Sequence, residues 1–349
     1  MAASPLVSVV MPVYNGERFV GEAIDSVLRQ TLPDLELVIV DDGSTDRTAE
    51  IIAARAKADS RIVIHRLPSN QGLVGARNAC AELARGEFIA VLDADDVSLP
   101  DRLERQVAFL RSHSEIGVLG ASVQFVDDAG RLGRLKTFPS GPGLVAWSMV
   151  FFNSIAHSTV MMRRSAREAV GRYAPEMKHG AEDYDLLVRA TRIIRLENMP
   201  DVLVRYRTWP GNMTKRFWER LEANSTVIVG RLAESRAAQP VSPEEVGALR
   251  GLARDDYPRS PEAIRRLGSL IHAMNAAFIK QPWLDARDRA AIRRDAAVKF
   301  WLLSALAARP APSLAITLAA TATHTSPTSL LMFASKIASR IRYRRRGTA

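Results

Sequence analysis

Phe88-Ile89-Ala90-Val91-Leu92 runs straight into Asp93-Ala94-Asp95-Asp96. An unbroken apolar run of this length reads as a strand buried on both faces of a parallel sheet. Three carboxylates at its carboxyl end repel one another, and no core stabilises them. The simplest partner is a hard divalent metal with oxygen ligands. In an open α/β sheet, ligands bind at the carboxyl ends of the strands. The competing reading is an acidic loop in which Asp96 or Ser98 caps the helix beginning near Pro100-Asp101-Arg102-Leu103.

Upstream, the same grammar repeats. Val7-Ser8-Val9-Val10-Met11 is a buried strand closed by Pro12-Val13-Tyr14-Asn15-Gly16, after which Val20, Ala23, Ile24, Val27 and Leu28 share one helix face. Leu35 to Val40 is a second strand, ending in Asp41-Asp42-Gly43-Ser44-Thr45-Asp46; Ser44 or Thr45 is the expected cap of a helix from Arg47 to Ala58. Arg61 to His65 reads as a strand and Leu73 to Ala84 as a helix. Strands alternating with helices of this length predict a Rossmann-like, doubly wound half with right-handed crossovers.

Polar residues collect where that architecture places a site. Tyr14 ends the first strand, Asp41 and Asp42 the second, and Gly72 and Arg77-Asn78 lie on the loop and helix between. A tyrosine ring can stack on a base, and a carboxylate can accept from a uracil-type N–H or from ribose hydroxyls. Arg77 can meet phosphate as a guanidinium fork. The bland alternatives are a core-edge tyrosine and a turn aspartate.

Taken in order, these stretches resemble the family-2 inverting glycosyltransferases of GT-A fold, over residues 6 to about 215. The likeness is carried by Val9-Val10-Met11-Pro12-Val13-Tyr14-Asn15, Val38-Ile39-Val40-Asp41-Asp42-Gly43-Ser44-Thr45-Asp46, Asn70-Gln71-Gly72-Leu73 with Ala76-Arg77-Asn78, and Leu92-Asp93-Ala94-Asp95-Asp96 with Leu99-Pro100-Asp101-Arg102. The resemblance implies a mixed α/β sheet that binds a nucleotide-diphosphate sugar, most simply a UDP-sugar, with Pro12, Tyr14, Asn15, Asp42, Arg77, Asp93, Ala94 and Asp95 around it. Asp93 and Asp95 match the family's DxD element. Asp95 is then the direct Mn2+ or Mg2+ ligand, and Asp93 touches ribose or a metal-bound water.

An inverting transfer also needs a base for the acceptor hydroxyl. His179-Gly180-Ala181-Glu182-Asp183-Tyr184-Asp185 precedes a helix, and the family carries its base in an acidic pair placed like Glu182-Asp183. Asp183 takes that role by resemblance, with Glu182 beside it; Asp185 favours only the positive end of the helix dipole. Asn153 to Met161 resembles the segment leading to the acceptor pocket, where His157 either meets sugar or phosphate or is structural. One departure stands out. Many relatives place a histidine two positions beyond an arginine equivalent to Arg207, and this chain has Trp209. Indole cannot ligate a divalent metal. The metal then rests on Asp95, the diphosphate and water, or Trp209 stacks on the sugar.

The chain has 349 residues, one cysteine and a net charge of +10. A single cysteine excludes an internal disulfide and suits a reducing compartment, and Cys80 reads as a small core hydrophobe. The amino terminus shows no secretory pattern, so the expected location is the cytoplasm. Residues 1–215 read as the catalytic domain, with a nucleotide half to about 100 and an acceptor half beyond; 216–325 as a helical extension; and 326–349 as a basic tail. In the tail, Leu330, Ala334, Ile337 and Ile341 recur at helix spacing among Lys336, Arg340, Arg342, Arg344, Arg345 and Arg346. Such a segment suits an anionic membrane surface, or a solvated helix end that packs Leu331 and Phe333. Without an aromatic-basic groove, nucleic acid is not expected. The acceptor implied by the family is a glycan or lipid-linked saccharide. A nucleotidyltransferase would show a glycine-rich basic loop after its first strand, an aspartate-nucleophile phosphotransferase would carry its Asp-x-Asp on that strand, and a non-catalytic relative would have lost Asp95 or Asp183.

Overall fold

The computed structural model describes residues 4–178 and 180–334. They form two compact units, one of residues up to 145 with 153–225, the other of residues 146–152 with those from 226 onward.

The first unit is built on a nine-stranded mixed sheet. Its first half follows the apolar runs: β1 (Val7–Val13), α1 (Val20–Leu28), β2 (Leu35–Asp41), α2 (Thr48–Ala58), β3 (Ile62–Arg66), α3 (Gly72–Leu83) and β4 (Phe88–Val91). β1 lies between β2 and β4, parallel to both, and every residue of β1, β2 and β4 is buried, which is why these strands read as continuous apolar segments. Then come β5 (Val97–Ser98), α4 (Arg102–Ser112), β6 (Ile116–Asp127), β7 (Leu132–Lys136), α5 (Pro142–Ser148), β8 (Met161–Arg163), α6 (Arg164–Val170), α7 (Glu182–Ala190) and β9 (Arg195–Thr208). The strand order is β3-β2-β1-β4-β8-β6-β9-β5, with β7 on β6. β8 runs antiparallel to β4 and β6, whereas β6 and β9 are parallel.

Two expected helix caps are replaced. Ser44 Oγ accepts from Asn15 N, Asn15 Oδ1 accepts from Thr45 N, and it is Asp46 that accepts from Thr48 N at the start of α2. At α4, neither Asp96 nor Ser98 caps: the N–H of Leu103 donates to Gln30 Oε1, brought from the end of α1. Behind β4, the fully buried Arg102 donates to the carbonyls of Val91 and Val160 and to Gln106. Burial holds its guanidinium down at about 9. These bonds fix the backbone from which the acidic turn springs.

The second unit is helical: the later part of α9 (Trp218–Ala237), which follows the short α8 (Met213–Arg216), then α10 (Pro243–Arg254), α11 (Pro261–Phe278), α12 (Ala286–Ala307) and α13 (Pro312–Thr325). Pro243 and Pro261 sit in first helical turns, behind the caps Ser242 and Ser260. Among the described residues, no helix is long and apolar enough to cross a membrane. Phe333 stacks on Trp301, but Leu331 is 79% exposed, so the expected packing holds for only one of the two. The basic tail from 335 onward lies outside the described residues.

Candidate active site

The carboxyl ends of β1, β2 and β4 bring the sequence candidates together. At β1, Pro12 is buried in the strand and the Tyr14 ring is 46% exposed at its end. Asn15 takes a left-handed backbone, φ 50°, and ties this end to the loop after β2. At β2, Asp41 Oδ1 accepts from Ser44 N, and Asp42 bonds backbone through both oxygens: Oδ1 from Gln71 N at 2.7 Å, Oδ2 from Gly72 N at 2.9 Å. Gly43, φ 73°, turns the chain directly after Asp42, and an added Cβ would lie 3.1 Å from Asn70 N. Burial raises the Asp42 carboxyl against the pull of those two amides.

Arg77 does not stand free for a phosphate. It is buried on α3, with Nη2 donating to Asp93 Oδ1 at 3.0 Å and Nη1 to Glu182 Oε1. One guanidinium thus bridges the turn after β4 and the start of α7. Burial opposes its charge, but the two carboxylates more than offset that and hold it protonated. Asp93 is lowered: burial would raise it, and Arg77 overcomes that. Glu182 is pushed up to about 7 by burial and by Asp183, against Arg77. Asp183 is also raised by burial, and the Asp93 charge adds to this.

Asp183 lies in the first turn of α7, entered through Gly180 and Ala181, both at positive φ. Asn153 Nδ2 donates to its Oδ2 at 2.9 Å. Asp185 pairs with Arg189 at 2.8 Å, as a helix-surface acid does. The His157 ring is buried, Nε2 lies 3.0 Å from the Tyr173 hydroxyl, Nδ1 has no hydrogen-bond partner, and burial with Arg77 nearby pulls it down to about 3. It is therefore neutral.

The half-buried Ala94 separates Asp93 from Asp95. Asp95 Oδ2 accepts from Trp209 Nε1 at 2.9 Å and from Asn212 Nδ2 at 2.8 Å. Burial and the Asp93 charge lift Asp95 to about 6. Asp96 is buried; Arg207 N donates to its Oδ1, its Oδ2 has no hydrogen-bond partner, and burial with Asp95 and Asp93 raises it well above its ordinary value. Arg207 Nε also donates to the Asp95 carbonyl, at 2.8 Å. Trp209 lies edge-to-face with Phe19, ring centroids 5.3 Å apart.

The sequence reading gave three residues that hold the carboxylates no such role. Asn153, Arg207 and Asn212 act across separations of 30, 111 and 117 residues, so no local spacing announces them. The one available signal was a buried-strand arginine in Val202-Leu203-Val204-Arg205-Tyr206-Arg207.

A mixed, partly parallel sheet whose strand ends gather a nucleotide-type loop and two linked acid clusters is the arrangement of a GT-A enzyme. The chain shares that fold with S. aureus TarS residues 1–349 in complex with UDP-GlcNAc, at TM-score 0.54 and 19% identity, over 91% of this chain and 90% of that one. The glycosyl transferase family 2 model matches residues 8–170. EpsE of Bacillus subtilis, which carries the name glycosyltransferase, is 38% identical over 192 residues, 54% of this chain and 68% of that protein. The amylovoran biosynthesis glycosyltransferase AmsE of Erwinia amylovora is 31% identical over 212 residues, 60% and 79% respectively. The chain belongs to glycosyl transferase family 2 and is a glycosyltransferase.

Proposed function

We propose that this enzyme moves a sugar from a nucleotide-diphosphate donor, a UDP-sugar first, to a hydroxyl of a glycan or lipid-linked saccharide, with inversion. The observation that carries the reading is the Arg77 bridge between Asp93 and Glu182, which couples a donor-side acid cluster to a base-side one. The UDP assignment draws support from the UDP-GlcNAc complex of TarS, and the glycan acceptor from AmsE.

Among the described residues, no three or more His, Cys, Asp or Glu side chains converge as a closed metal cage. Asp95 nonetheless fits a divalent cation. Oδ1 is the oxygen not engaged by Trp209 and Asn212, and the crowding that lifts Asp95 and Asp96 is anionic. A hard cation takes its remaining oxygens from diphosphate and water. Mn2+ or Mg2+ held by Asp95, with Asp93 nearby, would neutralise the charge gathering on the leaving diphosphate.

Tyr14 and Asp42 line the nucleoside side, with Pro12 and Asn15 shaping the strand end. Asp183 takes the proton as the acceptor oxygen bonds to the anomeric carbon, while the bond from that carbon to the diphosphate oxygen breaks and the nucleoside diphosphate departs. Its Oδ2 is held by Asn153, which leaves Oδ1 for the acceptor. Glu182 is tied to Arg77, and the Arg77 guanidinium also lies over the ring of Tyr173, whose hydroxyl meets His157.

Leu330, Leu331 and Met332 are exposed, and the six cations from Lys336 to Arg346 follow them in sequence. This chemistry suits attachment to an anionic membrane face, each cation contributing about 1 kcal/mol. Removing 330–349 should then lower co-sedimentation with phosphatidylglycerol vesicles; unchanged partitioning contradicts the attachment. For the enzyme itself, thermal unfolding is followed with UDP-, GDP- and dTDP-sugars, with and without Mn2+. A UDP-sugar that stabilises most, and more with Mn2+, supports the reading; no stabilisation by any of them overturns it.

A further inference from the structure

We infer that Trp209 and Asn212 are positioning residues for the cation: by holding Oδ2 of Asp95 with two neutral N–H donors, they present Oδ1 as the single protein oxygen offered to it. This rests on the metal reading above.

The hold is built from both ends. Asn212 donates its backbone N–H to the Trp209 carbonyl at 3.2 Å, and its Oδ1 accepts from Trp209 N, so the residues that reach Asp95 brace each other. The Trp209 ring closes down over Gly211, where an added Cβ would lie 2.1 Å from a ring carbon. Phe19 meets the ring edge-to-face, and the Arg18 guanidinium lies over both rings. Behind them, the buried Arg207 fixes the main chain through the Asp95 carbonyl and the Asp96 carboxylate, and it lies 4.5 Å from the Phe19 centroid. The turn is therefore fixed through the backbone by Arg207 and through the side chain by the 209–212 loop.

The donor type matters. Asp93 is held by a guanidinium, whose positive charge opposes a further cation beside it. Indole and carboxamide N–H groups carry no formal charge, so they fill the lone pairs of one oxygen and leave the carboxylate anionic. A carboxylate oriented in this way is a one-oxygen ligand of fixed direction. Partners of this kind typically change metal affinity by about 10- to 100-fold when removed.

The alternative is a latch that competes with the cation, and it predicts the opposite sign. The test titrates Mn2+ into the full-length protein with UDP present, free Mn2+ being read by electron paramagnetic resonance, while UDP affinity is measured separately without metal. Trp209→Phe keeps an aromatic ring beside Phe19 and deletes the N–H together with the six-membered ring that covers Gly211. It should weaken Mn2+ binding about 10-fold or more and leave metal-free UDP affinity unchanged. Gly211→Ala should give the same weakening by unseating the ring, and Asp95→Asn should abolish Mn2+ binding. Unchanged or tighter Mn2+ binding in Trp209→Phe, with Asp95→Asn inactive for Mn2+, overturns the positioning role and leaves the metal reading standing. Wild-type Mn2+ binding in Asp95→Asn overturns the metal reading, and the positioning role with it.

Discussion

Asp42 and Asp95 stand beyond two strands that flank β1, and their surroundings differ in one respect that matters. Both oxygens of Asp42 accept backbone N–H groups, from Gln71 and Gly72. These bonds staple the loop before α3 to the end of β2. Asp95 accepts through Oδ2 from two side chains of a loop more than a hundred residues away. Asp183 follows the Asp95 pattern, with Asn153 on one oxygen. Both Asp42 oxygens already hold the main chain, so any nucleoside group on that side shares them with the staple. A carboxylate held by neutral side chains at a single oxygen has a fixed direction, and the proposed mechanism uses its other oxygen.

The largest effect that separates the two kinds is expected at Asp183. Asp183→Asn keeps the size and can still bond Asn153, but it cannot take a proton. Sugar transfer should fall by about two to four orders of magnitude, with donor affinity near wild type by calorimetry. Parallel loss of donor affinity makes Asp183 a binding residue.

Arg77 sharpens the comparison through pH. Its positive charge favours the anionic form of Asp183, which burial otherwise raises. The base works when deprotonated, so activity climbs on the acid limb as pH rises through its pKa. Arg77→Met removes the opposing charge, raises that pKa, and should move the limb to higher pH. A limb that stays in place, measured on folded protein, removes Arg77 from the electrostatics of the base. The same variant leaves Asp93 and Glu182 without their counter-ion, so thermal stability should fall as well.

The smallest effect belongs to the staple. In Asp42→Asn an amide N–H must face one of the two backbone donors, costing about 1–3 kcal/mol. The melting temperature should drop, while the benefit that Mn2+ brings to donor binding remains.

What could be read from the sequence divides along the same line. The strands β1, β2 and β4 announce themselves because every residue in them is buried, and motif context placed Asp93 and Asp95 just beyond β4 and Asp183 at the start of a helix. The partners of those carboxylates were not legible. Arg207 and Asn212 reach the acidic turn from across the sheet, and Gln30 caps α4 from 73 residues away. Helix caps failed for the same reason: Ser44 met Asn15 before it could meet α2. Trp209 was legible only as a departure from a resemblance, because nothing in Thr208-Trp209-Pro210-Gly211-Asn212 announces that its indole N–H will find Asp95.

The division between stapled and aimed carboxylates is tested most directly by UDP-sugar affinity with and without Mn2+, compared between Asp42→Asn and Asp95→Asn by calorimetry. The ratio of the two affinities should survive in Asp42→Asn, whatever happens to the affinities themselves, and collapse to about one in Asp95→Asn, which has lost its ligand. A wild-type ratio in Asp95→Asn contradicts the account.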